Sequence, residues 1–318
     1  MMDVSHSVID GHVDLVYAMQ RSAAETPFAD LAAGPITPQT LARGGVRLLV
    51  GALYCADVHN GAGSAAAHLR QLMAFADRQL TGLVPVRTAT ALEACCRGET
   101  GPGILPLLEN GDALADGGLD VYEAWGLRVV GLTHAGANRL ADGNAVVRPG
   151  GLRPAGRQLV AELTQRGWAI DVAHLAEPGF RELLDRFPGP LLCSHTGLRR
   201  FCDRPRNLDE GQIAALLERK GVLGLTFAPE MLVPAGGADI EEVFRQLDWL
   251  VQRCGDGGVA LGSDLGGFDG ECTGLEDHGR LGRLVRRLER AGYPEASVAR
   301  ILGGNWRRFY GRLLAAQS

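Results

Sequence analysis

The sequence predicts an α/β fold, a (β/α)8 TIM-type barrel that occupies residues 1–318 as a single domain. Eight short, nearly continuous apolar runs recur along the chain, and such runs are typical of parallel strands that are buried on both faces. Amphipathic stretches of helical length separate the runs, as the alternation in a barrel requires. A doubly wound open sheet is the alternative, but no glycine-rich phosphate-binding motif follows the first run, which favours the barrel.

Each predicted strand is an apolar run that ends in polar or small residues. In chain order the strands are SVIDGHVDL (7–15), VRLLVGALYC (46–55), GILPLLEN (103–110), LRVVGLTHA (127–135), WAIDVAHL (168–175), PLLCSHT (190–196), VLGLTFA (222–228) and VALGSDL (259–265).

The predicted helices lie between these runs. They cover Ala65–Leu80, Ala155–Gly167, Pro178–Phe187, Asp209–Gly221 and Ile240–Cys254. Asp239 is expected to cap the last of them, because an acidic N-cap and acids in the first turn are start signals. The amphipathic segment EASVARILGGNWRRFYGRLL near the C-terminus predicts closing helices.

Composition excludes several classes of partner. The formal net charge is −5, so no basic surface for nucleic acid is expected. No apolar run approaches ~20 residues, which predicts no membrane span. Seven cysteines without a Cys-x-x-Cys pair argue against a disulfide framework. Together with an N-terminus that lacks a basic region followed by an apolar stretch, they predict a reduced, cytoplasmic location.

Polar side chains lie at the C-terminal ends of several predicted strands. They are His12 and Asp14 in the first strand, Glu109 in the third, His134 in the fourth, His174 in the fifth, His195 in the sixth and Asp264 in the eighth. Active sites of this fold lie on that face of the barrel, and such groups are costly to bury unless they are paired or bind metal.

Imidazole and carboxylate groups are zinc ligands, and a carboxylate can bridge two ions. Residues at positions i and i+2 of a strand point to one face, so His12 and Asp14 can reach the same ion. Each residue alone has an ordinary structural explanation: a histidine can be hydrogen-bonded, Glu109 can be solvated, and Asp264 can cap a turn. The combination favours a site for two divalent ions. The other four histidines, His6, His59, His68 and His278, are assigned no role.

The sequence resembles the renal (membrane) dipeptidase family of the amidohydrolase superfamily over nearly its whole length. The matching segments include IDGHVDL, LLENGDAL, GLRVVGLTHAGANRLADG, DVAHLAEPGFRELLD, SHTGLRRFCDRPRNL, LGSDLGGFDG and ILGGNWRRFYGRLL.

The resemblance implies a binuclear zinc site. His12 and Asp14 would hold one Zn²⁺, His174 and His195 would hold the other, and Glu109 would bridge the two. Other divalent first-row metals also suit such ligands.

The resemblance also implies the catalytic and substrate-binding groups. Asp264 would be the acid/base that activates the attacking water and protonates the leaving amine. His134 would polarise the scissile carbonyl and bind substrate, and Arg206 would grip the terminal carboxylate. The loop that follows Asp264 is longer than the family usually has, so Asp269 is a rival for the base. Val13, Asn110 and Met231 also depart from the family pattern.

Three functions follow as hypotheses. The first is hydrolysis of small dipeptides, including those with a D-configured C-terminal residue, through a hydroxide that bridges the metals. The second is hydrolysis of a lactone, cyclic amide or phosphoester by a related binuclear enzyme. The third is a non-catalytic metal-binding role, disfavoured because neither the ligands nor the base is lost. A homodimer is expected by analogy with the family.

Overall fold

The computed structural model describes residues 6–316 and contains one sheet of parallel strands. The strands are β1 (Val8–Val13), β2 (Val46–Tyr54), β3 (Val84–Pro85), β4 (Gly103–Glu109), β5 (Val129–Gly131), β6 (Ala169–Asp171), β7 (Leu191–Thr196), β8 (Leu223–Leu225) and β9 (Val259–Leu261).

The strands follow one another in the order β1-β2-β4-β5-β6-β7-β8-β9, and the short β3 pairs with the start of β4. Backbone hydrogen bonds join the end of β1 to the segment after β9: the Asp264 N–H donates to the His12 carbonyl at 2.9 Å, and the Asp14 N–H donates to the Leu265 carbonyl at 3.0 Å. These bonds bring the two edges together, so eight strands form a nearly closed barrel and the predicted fold class is confirmed.

Helices alternate with the strands. Within residues 6–316 they are α1 (Leu15–Ser22), α2 (Pro38–Gly44), α3 (Ser64–Gln79), α4 (Ala89–Cys96), α5 (Leu119–Trp125), α6 (Pro154–Arg166), α7 (Glu177–Arg186), α8 (Glu210–Glu218), α9 (Pro229–Leu232), α10 (Ile240–Cys254), α11 (Leu281–Arg290), α12 (Glu295–Ala299) and α13 (Asn305–Ala315), with a π-helical turn at Arg300–Gly304. None of these helices combines the length and apolar character that crossing a membrane requires.

The five predicted helices are present as α3, α6, α7, α8 and α10, with ends that differ by a few residues at most. The Asp239 side chain accepts the N–H groups of Glu241 and Glu242, so the predicted cap of α10 is confirmed. Gly167 ends α6 with φ 66°, a conformation that glycine adopts without a steric penalty.

The inner faces of the strands and α13 form one apolar cluster. It contains Ile9, Leu48, Val50, Leu105, Leu107, Val129, Ala169, Leu192, Ala260, Trp306, Phe309 and Tyr310. The Trp306 indole N–H donates to the Leu261 carbonyl at 2.8 Å, so α13 is tied to β9 while its aromatic side chains pack on the strands. The outer faces pack on the surrounding helices in a second, larger cluster. Polar side chains lie instead at the carboxyl ends of the strands.

Candidate active site

A cavity of about 360 Å³ opens at the carboxyl ends of the strands. Every residue predicted for the site lines it except His12, which lies beneath. The lining side chains include Asp14, Tyr17, Tyr54, Glu109, His134, Asn144, His174, His195, Arg204, Arg206, Glu230, Met231 and Asp264. This agrees with the rule that barrel sites form at this face.

Two groups of three side chains share Glu109. In the first, the His12 Nε2 atom lies 3.5 Å from Asp14 Oδ2 and 3.9 Å from Glu109 Oε2. In the second, Glu109 Oε1 lies 2.8 Å from His174 Nε2 and 3.8 Å from His195 Nε2. The ligand atoms of each group lie within 4.8 Å of one another. Because the two oxygens of Glu109 face different groups, the arrangement suits a bridging carboxylate.

A third possible grouping joins His12, His195 and Asp264. The Asp264 Oδ1 atom lies 3.9 Å from His12 Nε2, a longer approach than that of Asp14. Asp264 is therefore close to the ligand groups without being needed to complete either of the two that share Glu109.

The unsatisfied polar atoms fit a metal centre. His12 Nε2 and Asp14 Oδ1 are buried and have no hydrogen-bond partner, and buried polar groups without partners are rare in folded proteins. The Nε2 atoms of His174 and His195 lie 3.2 Å apart. Three imidazoles and two carboxylates pointing to one space form a donor set that suits divalent first-row ions.

A layer of hydrogen bonds holds the histidine rings from behind. The Ser194 hydroxyl lies 3.0 Å from His12 Nδ1 and 2.9 Å from His195 Nδ1. The buried Asp171 carboxylate accepts the Ser194 backbone N–H at 2.9 Å. Each ring therefore directs Nε2 toward the cavity, which is how outer hydrogen bonds orient metal-binding histidines.

A second buried carboxylate, Asp10, links the strands that carry His12 and Asp264. It accepts the Ser263 N–H at 2.8 Å and contacts His278 Nε2 at 2.8 Å. Sequence reasoning assigned His278 no role, but its side chain is fully buried here. The missed residues Asp10, Asp171 and Ser194 share a signal: each is a polar residue inside an apolar strand, within three positions of a predicted metal ligand.

The backbone is in a left-handed conformation next to the site. His174 and Asp264 both have φ 64°, and Asn110, directly after Glu109, has φ 72°. Positive φ is uncommon for residues other than glycine, and such conformations cluster at functional sites. His134, His174 and Asp264 each lie three residues beyond the last residue of β5, β6 and β9. The predicted strands were too long there, because the strand pairing ends at Gly131, Asp171 and Leu261.

The two rivals for the base are clearly separated. Asp264 is buried and lines the cavity, whereas Asp269 is exposed and does not line it. Burial, with the negative charge of Asp14 beside it, raises the pKa of Asp264 well above the usual range. A carboxyl group whose proton affinity is raised is suited to acid–base chemistry.

The histidines of the cavity differ in pKa, because different charges surround them. Burial opposes the charged form of His12, but the carboxylates of Asp14, Glu109 and Asp264 outweigh it and raise the His12 pKa to about 10. Burial and the nearby Arg206 guanidinium lower the pKa of His174 to about 3. Burial also lowers the pKa of His195. In the metal-free protein, the surroundings therefore favour the protonated form of His12 and the neutral forms of His174 and His195.

Arg206 lies at the edge of the cavity, partly buried. Its NH1 and NH2 groups donate to the His195 carbonyl at 3.2 and 3.3 Å, and NH2 lies 3.1 Å from His174 Nε2. It is part of a turn. Met231, in α9, lines the same cavity, so this wall has a guanidinium beside a thioether.

The His134 ring packs against the rings of Tyr54 and His174, whose centroids are 4.8 and 4.4 Å away. Its Nδ1 atom lies 3.3 Å from Asp57 Oδ2. Sequence reasoning placed His134 in the site but did not identify Asp57, which follows β2 by three residues. His134 and His174 also lie three residues after the end of a strand. This common spacing could have pointed to Asp57.

A barrel whose carboxyl face carries groups that could hold metal ions is typical of a metal-dependent hydrolase. The family model for membrane dipeptidase, peptidase family M19, matches residues 2–316. The chain belongs to this family.

Relatives of known sequence support the assignment. A Klebsiella pneumoniae protein, known as the uncharacterized protein in the pqqA 5′ region, is 32% identical over 202 residues, which cover 60% of this chain and 73% of that protein. The dipeptidase aclJ of Aspergillus oryzae is 29% identical over 197 residues, which cover 61% of this chain and 47% of aclJ. The chain thus spans about half the length of that fungal relative.

Solved structures show the same fold. The crystal structure of the dipeptidase AC, a metallopeptidase of family M19, has a TM-score of 0.88 and 25% identity, with 98% of this chain and 99% of that chain covered. A metallopeptidase from Rhodobacter sphaeroides, liganded with a phosphinate mimic of the dipeptide L-Ala-D-Ala, has a TM-score of 0.86 and 23% identity, with 98% and 99% covered.

Proposed function

We propose that the protein is a zinc-dependent dipeptidase that uses two Zn²⁺ ions and accepts dipeptides with L- or D-configured C-terminal residues. One observation carries the proposal: two three-ligand groups share the two oxygens of Glu109 at the floor of an open cavity. His12 and Asp14 would hold one ion, and His174 and His195 would hold the other. When bound, the ions supply a water of lowered pKa and stabilise negative charge on the substrate's carbonyl oxygen.

Arg206 and His134 bind different parts of the substrate. Arg206 binds the terminal carboxylate, because a guanidinium can form two parallel hydrogen bonds to it. His134 donates a hydrogen bond to the carbonyl oxygen as negative charge develops there. These contacts hold the scissile amide over the cavity floor, where Glu109 and the histidines lie.

Asp264 moves the proton. It accepts a proton from the attacking water as the water oxygen bonds to the carbonyl carbon, and it returns that proton to the amide nitrogen as the C–N bond breaks. The products are two amino acids, and Asp264 ends in its starting protonation state. The position of Asp264 supports this role, because its carboxylate lines the cavity and lies 3.9 Å from His12 Nε2, next to the groups that would hold the ions.

The test compares free and C-terminally amidated dipeptides on zinc-loaded protein. The wild type should hydrolyse free dipeptides, with Ala-Ala of both C-terminal configurations in the panel. Arg206→Ala should raise KM for free dipeptides by an amount equivalent to roughly 2–4 kcal/mol of lost charged hydrogen bonding, with little effect on the amidated ones. Equal losses on both substrate classes would contradict carboxylate recognition by Arg206.

Arg199→Ala is the matched control. Arg199 belongs to the same loop as Arg206, but it pairs with Asp203 at 3.0 Å and does not line the cavity. Its KM should match that of the wild type. Hydrolysis of lactones or phosphoesters with no turnover of any dipeptide would reject the proposed function itself.

A further inference from the structure

We propose that Asp57 is a positioning residue for His134. The inference rests on the proposed function only in that His134 is taken to act on the substrate's carbonyl. Asp57 starts a 3-10 turn, Asp57–His59, that follows β2. Its side chain is about one-third exposed, so it is not enclosed in the core.

One oxygen of Asp57 holds the segment that follows β5. Oδ2 accepts the Gly136 N–H at 2.9 Å and lies 3.3 Å from His134 Nδ1. A Cβ atom on Gly136 would lie 2.9 Å from the same oxygen, so a glycine is needed for this approach. A single carboxylate oxygen thereby fixes both the His134 ring and the loop that carries it.

The other oxygen faces the segment that follows β4. Oδ1 lies 3.4 Å from the side-chain Nδ2 atoms of both Asn60 and Asn110. Asn110 directly follows Glu109, and its Nδ2 also donates to the Cys55 carbonyl at 2.7 Å. Asp57 therefore connects the chain segments after three neighbouring strands, β2, β4 and β5.

The surroundings require an acceptor at both oxygens. The Gly136 and asparagine partners are N–H donors, and an ionised carboxylate is an acceptor only. His134 therefore donates its Nδ1–H to Asp57, and Nε2 is directed away from Asp57. The rings of Tyr54 and His174 also pack against the His134 ring. Asp57 thus sets the direction of the ring, so that Nε2 remains for the substrate's carbonyl oxygen.

Asp57→Asn tests the proposal, because its amide must place an NH₂ group against one of these donors. Loss of one oxyanion-stabilising donor costs ~10²–10³-fold in kcat, so a misdirected His134 should lower kcat by up to that amount. KM for free dipeptides should stay within a few-fold, since Arg206 is untouched, and zinc content should be unchanged.

Asp256→Asn is the matched control: Asp256 pairs with Arg300 just before β9, so its loss should lower the Tm without lowering kcat.

A double-mutant cycle with His134→Gln separates positioning from a general structural role. If Asp57 acts through His134, Asp57→Asn should cost little further activity in that background. Additive losses would overturn the proposal.

Nitrogen NMR of the His134 ring provides a readout without substrate. The wild type should have a protonated Nδ1 that is hydrogen-bonded to Asp57, and Asp57→Asn should lose that hydrogen bond. An unprotonated Nδ1 in the wild type would overturn the inference even if dipeptides are hydrolysed. Conversely, a protein that hydrolyses no dipeptide but has the expected ring signals would reject the proposed function and support the positioning role.

Discussion

The carboxylates of the cavity differ in what surrounds them. Glu109 has histidines on both sides; burial disfavours its charge, but His174 and its neighbours outweigh burial and keep its pKa below the usual range. Asp264 has Asp14 as its neighbour, and both burial and that negative charge favour the protonated form. Environments that push two carboxyl groups in opposite directions are the usual basis for assigning different roles to them.

Asp264→Asn should therefore abolish most of the activity while the fold is kept. Asparagine tolerates the positive φ of 64° at this position and is nearly isosteric, but its amide cannot accept the water's proton. Loss of acid–base catalysis lowers kcat by ~10²–10⁴-fold. KM should change little, because the proton is transferred in the transition state. Initial rates on protein of measured zinc content provide the test.

Asp269→Asn is the natural comparison, since both residues belong to the loop that departs from the family pattern. Asp269 is exposed and outside the cavity, so its loss should leave kcat within a few-fold. The reverse pattern would identify Asp269 as the base. Unchanged activity in both variants would place the base elsewhere.

Residues of the site could be predicted where a local sequence pattern marks them, but not where they depend on a partner that is distant in the sequence. His12, Asp14, Glu109 and His195 stand out because polar groups end apolar strands. The roles given to them stay predictions, although the structure brings them together. The pairing of Asp10 with His278 could not be predicted, because the two are joined only by the closure of the barrel.

At the scale of elements, α13 closes the inner cluster from the end opposite the site. Trp306 is fully buried, stacks on Tyr310 with centroids 5.5 Å apart and lies against Gly11 of β1. The amphipathic C-terminal segment predicted closing helices, and α12 and α13 confirm them. The two-residue β3 was not predicted, because Val84–Pro85 carries no periodic pattern of its own.

Gly11→Ala should destabilise the protein through this contact. A Cβ atom at Gly11 would lie 2.3 Å from Trp306 Cζ2, so α13 or β1 must shift. Overpacking of this kind costs ~1–3 kcal/mol, which should lower the midpoint of urea unfolding. Gly257→Ala, where a Cβ atom meets nothing within 4 Å, is the control and should leave the midpoint nearly unchanged. An unchanged midpoint of urea unfolding in Gly11→Ala would mean that α13 can shift without loss of stability.

At the scale of the whole molecule, the barrel separates an apolar end from a charged one. The inner cluster and α13 fill the first, and the carboxyl ends of the strands gather acidic groups around His12 at the second. The fold class could be predicted because strand and helix patterns alternate along the entire chain. The single domain over 1–318 and the homodimer stay predictions.

The acidic groups and histidines at the carboxyl ends of the strands should bind metal ions. We expect two zinc ions per chain by elemental analysis at saturating zinc, and one in His174→Ala, which keeps the group formed by His12, Asp14 and Glu109. Removal of the ions by a chelator should lower the Tm, since a ligand that binds only the native state at 100 times its Kd stabilises it by ~2.7 kcal/mol. One ion in the wild type would contradict the bridging role of Glu109.

The pH dependence of zinc binding tests the same arrangement. A histidine must be neutral to bind a metal, but the carboxylates around His12 raise its pKa to about 10 in the metal-free protein. His12 is then protonated at pH 7–8, and zinc must displace its proton. Affinity should therefore rise with pH up to about 10, and calorimetry at pH 8 in buffers of different ionisation enthalpy should detect the release of a proton. Uptake of protons, or an affinity that falls as pH rises, would show that the carboxylates do not hold a proton on His12 before the ion arrives.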